Sequence, residues 1–196
     1  MRVHVIYAHP RSDSFNSALH DIVLAALRNA GHEVDDLDLY AENFQPALTA
    51  DERGAYHTVG GNLAGIESYV ARLRAAQALV ISAPTWWYGM PAILKGYFDR
   101  VWVPGVAFHL QRHGGAIIPG LTNIRKYAVV TTTGSPWWFM RLYMRDPGKR
   151  VLMRGMRRLF APDVAMHYLC HYGTDVSTLQ HRQRFIARVK ATFAAF

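Results

Sequence analysis

The run Ala78-Leu79-Val80-Ile81 is short, rich in β-branched and aliphatic residues, and apolar on both alternations. It has no polar face to give to water, so it reads as the central strand of a parallel sheet covered on both sides. Pro84 ends the strand. The stretch that follows, PTWWYGMPAILKGYFDRV from Pro84 to Val101, turns at Gly89 and starts a helix at Pro91. That helix places Ile93, Leu94, Tyr97, Phe98 and Val101 on one face. Between strand and helix lie Thr85, Trp86, Trp87 and Tyr88. Consecutive aromatics in a loop bounded by Pro and Gly diverge, so at least one of the three faces a ligand or a partner. Padding of the helix against the sheet is the competing explanation. The position shifts the balance toward a ligand, because open α/β sheets bind ligands in loops at the carboxyl ends of central strands.

Strand and helix alternate along the rest of the chain. Residues 3–8 read as a buried strand, and Leu19, Ile22, Val23, Ala26, Leu27 and Ala30 form a helical stripe closed by Gly31. A second strand falls at about 34–39, and a helix closes over 71–76 ahead of the central strand at 78–82. A fourth strand is expected at 127–131, a helix at about 147–160, a fifth strand at 164–170 and a last helix at about 178–193. This pattern predicts an α/β fold: one doubly wound, five-stranded parallel sheet spanning residues 1–196, with strand order 2-1-3-4-5. A chain of 196 residues can bury roughly 70% of its unfolded surface without a disulfide or metal. Cys170 then reads as a buried small hydrophobe in a reducing compartment. The apolar run at 3–8 is too short for a signal peptide or a membrane span, which gives the expectation of a cytoplasmic protein.

Two further loops open at strand ends. His9-Pro10-Arg11-Ser12-Asp13-Ser14-Phe15-Asn16 leads from the first strand into the first helix. Unpaired N–H groups at a helix start, joined by donors on Ser12, Ser14 and Asn16, form a phosphate cradle. A helix cap would use one of Ser12, Asp13 and Ser14 and would not call for His9. Thr131-Thr132-Thr133-Gly134-Ser135 ends the fourth strand, where a glycine lets backbone N–H groups approach the carbonyl edge of a planar ligand. Three loops thus converge on one crevice. Spacings for a metal site, a Walker loop, a G-x-S-x-G elbow and a G-x-G-x-x-G dinucleotide turn are all missing from the sequence.

The 84–101 stretch resembles the P-x-x-W-[FY]-G-x-P-A-[IL]-L-K-G-[WY]-[FL]-[DE]-R-V signature of the flavodoxin-like NAD(P)H:quinone oxidoreductases. The resemblance covers most of the first two thirds of the chain and fades after about Trp137. It implies a flavin, FAD first and FMN as the alternative, with NADPH or NADH as a transient co-substrate and a quinone-like acceptor. By the same resemblance His9, Ser14, Phe15 and Asn16 hold the flavin phosphate. Pro84, Thr85, Trp86, Trp87 and Tyr88 border the isoalloxazine, and Thr132, Thr133, Gly134 and Ser135 meet its polar edge. Asp13 departs from the family pattern and is unfavourable beside a phosphate unless it points away or is offset by Arg11. The segment from Trp102 to Ile124 borders the pocket in that family, where a second subunit completes it, so a homodimer is expected. The longer quinone reductases carry a tyrosine soon after the T-T-G glycine and a histidine beyond it. Here an ungapped reading places Met140 and Leu152 there. The candidates for their role are therefore the Gly134 backbone and Tyr143, or else His113 or His109 reaching in from the long segment.

With 22 Lys and Arg against 14 Asp and Glu, the formal charge is +8, much of it on the helix expected at 147–160 and just before it. Asp146-Pro147 reads as the start of that helix and Leu152, Met156, Leu159 and Phe160 as its buried stripe. The basic residues then form a solvated outer face, one suited to attracting phosphorylated dinucleotides or an acidic membrane surface. No nucleic-acid module accompanies them. The leading reading is an enzyme that moves a hydride from NAD(P)H through flavin N5 to a quinone. The competing one is a regulatory flavoprotein, such as an ancillary subunit of a potassium efflux transporter, or an electron carrier. Carrier flavodoxins are acidic and have a different phosphate loop.

Overall fold

The computed structural model describes residues 1–111 and 114–196. Its main sheet is parallel and five-stranded, in the order β2-β1-β3-β6-β7. These strands are β1 (Arg2–Tyr7), β2 (Glu33–Asp38), β3 (Ala78–Ser82), β6 (Lys126–Thr133) and β7 (Ala165–Tyr172). A separate two-stranded ribbon, β4 (Phe108–His109) with β5 (Ile118–Pro119), lies in the long segment before β6. Without that ribbon the order is the expected 2-1-3-4-5. Helices α1 (Phe15–Asn29) and α6 (Leu179–Ala194) cover one face, while α3 (Glu67–Ala75) and α4 (Ala92–Val101) cover the other.

The double-sided apolar pattern of β3 is used as the physics requires. Ala78 and Val80 pack with Leu19, Val23, Val189 and Phe193 on the α1/α6 side. Leu79 and Ile81 pack with Leu73, Leu94 and Tyr97 on the other. Gly31 has φ of 78° and closes α1 in a Schellman motif, its N–H donating to Arg28 O and that of His32 to Leu27 O.

The segment 42–65 holds structure that the hydrophobic pattern does not show. α2 (Ala50–Ala55) is short and has no buried residue, so no apolar stripe marks it. Its capping box is nevertheless written in the sequence: Thr49 accepts from Glu52 N and Glu52 accepts from Thr49 N. The helix expected at 147–160 is present as one continuous helical stretch of changing pitch: α5 (Pro147–Lys149), a π-helical stretch Arg150–Gly155 and a 3-10 turn Met156–Leu159. Leu152, Leu159 and Phe160 are buried on it and the half-buried Met156 packs against the same core. Asp146 precedes it in a left-handed conformation and does not cap it with its side chain. Cys170 is free and half-buried, its thiol pushed up to about 12 by burial. No helix among the described residues is long and apolar enough to cross a membrane.

Edge strand β2 is fixed by charge. Asp35 lies 2.9 Å from His4 Nδ1 and accepts from Arg72 Nε at 3.0 Å, while Arg72 also reaches Glu42. Burial raises the Asp35 carboxyl pKa, but His4 and Arg72 outweigh it and hold the group well below the usual carboxylate range. A folded-state pKa below the unfolded value of about 3.9 stabilises the protein above that pH and is lost as pH falls toward the folded value. Asp35→Asn should therefore flatten the acid limb of stability measured by urea unfolding between about pH 4 and pH 2.

Candidate functional site

Parallel pairing sets the ends of β1, β3 and β6 side by side. Ala8 N–H donates to Ser82 O, Ala83 N–H to Val130 O and Thr85 N–H to Thr132 O. The loops leaving these strands meet around a cleft of about 460 Å³ lined by His9, Ser14, Phe15, Asn16, Pro84, Thr85, Trp86, Trp87, Thr132, Thr133, Gly134, Thr174 and Asp175. Eleven of these thirteen are residues singled out from the sequence.

The first loop is both cap and cradle. Ser14 accepts from Ser17 N at 3.0 Å and so caps α1, leaving its hydroxyl hydrogen free. Asn16 is 2% exposed, and neither its amide nitrogen nor its oxygen has a partner. A buried, unpaired amide is costly unless a ligand completes it. Arg11 donates to Asp13 through Nε and one terminal guanidinium nitrogen, outside the cleft lining, and depresses its carboxyl pKa. The offset required beside a phosphate is thus supplied. Ser12 does not line the cleft. Burial lowers the pKa of His9, whose Nδ1 accepts from Arg11 N at 3.1 Å, so its ring is neutral at pH 7.

The aromatic loop corrects one expectation. Gly89 does not make the turn. Trp86 and Gly89 exchange both backbone hydrogen bonds, and the two residues between them, Trp87 and Tyr88, have φ of 48° and 63°. Bulky residues rarely occupy this left-handed region, which two-residue hairpins usually give to Asn-Gly. The helix after it starts at Ala92, with Pro91 as the residue before the first turn. The three aromatics diverge: Trp86 edges His9 at 5.9 Å, Trp87 is 94% exposed, and Tyr88 packs on Phe139 at 5.9 Å.

Other candidates fall elsewhere. Tyr88 and Ser135 do not line the cleft, because Tyr88 turns to Phe139 and the Ser135 carbonyl is used by Gly173 N. Tyr143 is 74% exposed and stacks on Phe139 outside the cleft. His109 is exposed on the ribbon, and His113 lies outside the described residues. Two equal steps of six residues from Gly134 reach Met140 and then Asp146, so the residue matched to the family histidine is Asp146 and not Leu152. Leu152 and Met140 are buried core, whereas Asp146 accepts from Tyr172 Oη at 3.2 Å. Thr174 and Asp175, not anticipated, enter from the turn after β7. A Cβ on Gly134 would meet Asp175 Oδ2 at 2.2 Å, so Gly134 and Asp175 share one corner of the cleft. Nothing local in the sequence marks that pair; only the alignment of β6 with β7 creates it.

A doubly wound sheet whose helix-start loop, aromatic loop and T-T-G loop share one crevice defines a flavodoxin-like protein. Residues 1–172 match the family described by its flavodoxin-like fold. Rat NAD(P)H dehydrogenase [quinone] 1 is 34% identical over 123 residues, covering 55% of this chain and 45% of the relative. An NAD(P)H oxidoreductase of Escherichia coli K12 is 33% identical over 108 residues, covering 55% of each. The chain spans about half the length of these curated relatives. The solved NAD(P)H:quinone oxidoreductase of Methanothermobacter marburgensis superposes with a TM-score of 0.79 at 26% identity, over 99% of this chain and 96% of the other. The chain belongs to the flavodoxin-like NAD(P)H:quinone oxidoreductase family.

Trp102 lies 5% exposed between Phe98 and Phe160, in contrast to Trp87. Trp102→Ala should cost about 3 to 5 kcal/mol of stability. Trp87→Ala should leave the melting temperature near the parent value and lower the amount of flavin retained on gel filtration. Equal retention by folded samples of both variants would remove Trp87 from the binding surface.

Proposed function

We propose that the protein is a flavin-dependent oxidoreductase taking two electrons from NAD(P)H and delivering them to a quinone or similar acceptor. The observation that carries this reading is the buried Asn16 amide, without a partner at the helix-start side of a cleft that Trp86 and Trp87 also line. The flavin, when bound, supplies the redox chemistry by accepting hydride at N5. This chain supplies position: Asn16, the Ser14 hydroxyl and the α1 amino terminus hold the phosphate end, and Thr132, Thr133 and the Gly134 backbone meet the ring edge. Trp86 and Trp87 wall the ring and leave one face for nicotinamide and acceptor in turn. The similarity to oxidoreductases named for NAD(P)H and quinone supports this choice over an ancillary or carrier role.

FAD is favoured over FMN by a second cavity of about 560 Å³, lined in part by Trp137, His171, Gly173, Thr178 and His181. It adjoins the cleft at the 173–176 turn, with Phe15 and His171 in edge contact between the two. An adenosine half fits there, whereas FMN would leave it empty. Burial, His181 and Arg182 lower the His171 pKa to about 4, so that ring offers a neutral surface. We also propose a homodimer joined through the ribbon, where Leu110, Ile117 and Ile118 are exposed.

The purified protein should be yellow, release FAD on heating as identified by mass, and oxidise NADH or NADPH with a quinone in ping-pong kinetics. A ternary-complex pattern would overturn the shared cleft, and a colourless protein that neither flavin reconstitutes would overturn the function.

His9 is the one histidine among the described residues lining the cleft, and it is neutral at pH 7. Single-turnover flavin reduction should therefore show no ionisation centred between about pH 6.5 and 8, at or above the ordinary histidine value. A step in that window that vanishes in His113→Ala or His109→Ala, with flavin retained, would assign proton transfer to the long segment.

A further inference from the structure

The charge concentrated after β6 is gathered around one cavity. Residues 135–162 contain seven Lys and Arg and one acid, Asp146. Arg141, Arg145, Lys149, Arg150 and Arg154 surround an open cavity of about 420 Å³, whose lining Met153 and Asp146 complete. Asp146 is buried, accepts from Tyr172 Oη at 3.2 Å and lies 3.8 Å from Arg141 Nε, so it answers one cation of the set. Among the described residues Arg145, Lys149, Arg150 and Arg154 have no acidic partner. Arg150 and Arg154 stand four residues apart on one helical stretch, a spacing at which like charges repel. An anionic ligand would relieve that repulsion.

The cavity shares no lining residue with the cleft or with the second cavity, the one assigned to adenosine, so it is no part of the proposed flavin site. It borders the wall of the cleft all the same. Gly148 N–H donates to Tyr88 O at 3.1 Å, and a Cβ on Gly148 would meet that oxygen at 3.2 Å. The helical stretch is thus seated closely on the turn whose Trp87 lines the cleft. No residue of the β4–β5 ribbon lines the cavity. A second copy joined through that ribbon therefore does not call on this segment, and two such basic segments would repel each other across an isologous contact.

We propose that this cavity holds the adenosine 2′-phosphate of NADPH, and that the protein thereby selects NADPH over NADH. The inference rests on the proposed function and names which of the two reductants that site takes. A phosphate monoester carries about −1.5 to −2 of charge at pH 7 and presents three strong acceptor oxygens. Guanidinium forks match such a group in both charge and geometry. NADH has only a hydroxyl at that position and would leave the cations unanswered. A dinucleotide whose nicotinamide enters the cleft beside Trp87 passes the Tyr88 turn and meets the cavity with its phosphorylated end. Lys149 lies 5.1 Å over the Tyr168 ring, a contact that holds one cation of the set in place.

The test uses the full purified protein, with flavin added. The kcat/KM for NADPH should exceed that for NADH by about 10- to 100-fold, the range set by a hydrogen bond to a charged group. That gap should narrow as salt rises to about 1 M, where charges are screened beyond about 3 Å. Arg150→Glu combined with Arg154→Glu should remove most of the preference by raising KM for NADPH, with kcat little affected. If that pair unfolds, Arg150→Gln with Arg154→Gln should shift the preference in the same direction. Arg157→Glu with Arg158→Glu alters net charge equally at exposed positions outside the cavity and should leave the preference intact. Calorimetry gives a readout without turnover: 2′,5′-ADP should bind the flavin-loaded protein at least about tenfold more tightly than 5′-AMP or inorganic phosphate, and lose that advantage in the Arg150 and Arg154 variants. Equal kcat/KM for the two nucleotides, a preference for NADH, or a preference removed as fully by the Arg157 and Arg158 pair would overturn the site. Inorganic phosphate bound as tightly as 2′,5′-ADP would overturn the assignment in favour of a general anion site. Colourless protein that binds 2′,5′-ADP through these arginines would retain the phosphate site and remove the flavin reading; yellow protein that oxidises both nucleotides equally well would do the reverse.

Discussion

The site depends on the level pairing of three parallel strand ends. Tyr7 lies opposite Ser82 and Ser82 opposite Val130, and the ladder runs on past β3 through Ala83 and Thr85. A slip of one residue in either pairing would reverse the side chains of a strand and move one loop out of the cleft. Apolar side chains on both faces of β3 prevent that slip, because every alternative register trades fitted contacts in both cores at once. The chemistry of the loops is therefore positioned by packing they do not themselves take part in.

The Trp87-Tyr88 turn is the place where local preference yields to that packing. Each bulky residue at positive φ costs of order 1 to 3 kcal/mol. The surrounding structure over-determines the turn: Trp86 and Gly89 close it, the Tyr88 carbonyl is fixed by Gly148 N–H, and the Tyr88 ring rests on Phe139. The return is an aromatic surface held without the freedom of a glycine hinge. Arg145 and Asp146, at φ of 56° and 46°, repeat the pattern where the basic segment begins. Asp146 is held in place by Tyr172 on β7, so the edge strand anchors this segment as well as closing the sheet.

Acidic and basic clusters are separated in space. The acids of β2, with Arg72 and His4, stiffen the edge of the sheet. The excess of positive charge gathers at its carboxyl end, beside the cleft, where Asp13 is neutralised by Arg11 and Asp146 is buried. The cleft thus lies beside a positive field that favours encounter with anionic partners from that side.

The alternating periods of the sequence were enough to determine the fold class, the strand order and most of the cleft. Strand cores such as 78–81 have no polar face, and the glycine after α1 stands where only a left-handed residue closes the helix. The three loops were legible because each is a contiguous motif at a strand end. What depended on tertiary structure involves residues distant in sequence or chosen by contact. Asp175 joins the cleft only because β7 pairs with β6, and Tyr88 leaves it because Phe139 is there to receive its ring. Tyr143 is a phenol with no sequence mark to place it inside or outside. The helical stretch at 147–159 keeps its apolar residues buried while its pitch changes from α to π to 3-10, which their spacing does not show. Periodicity encodes which side of an element is apolar; it does not encode the contacts that bend the backbone or choose which polar side chain reaches a ligand.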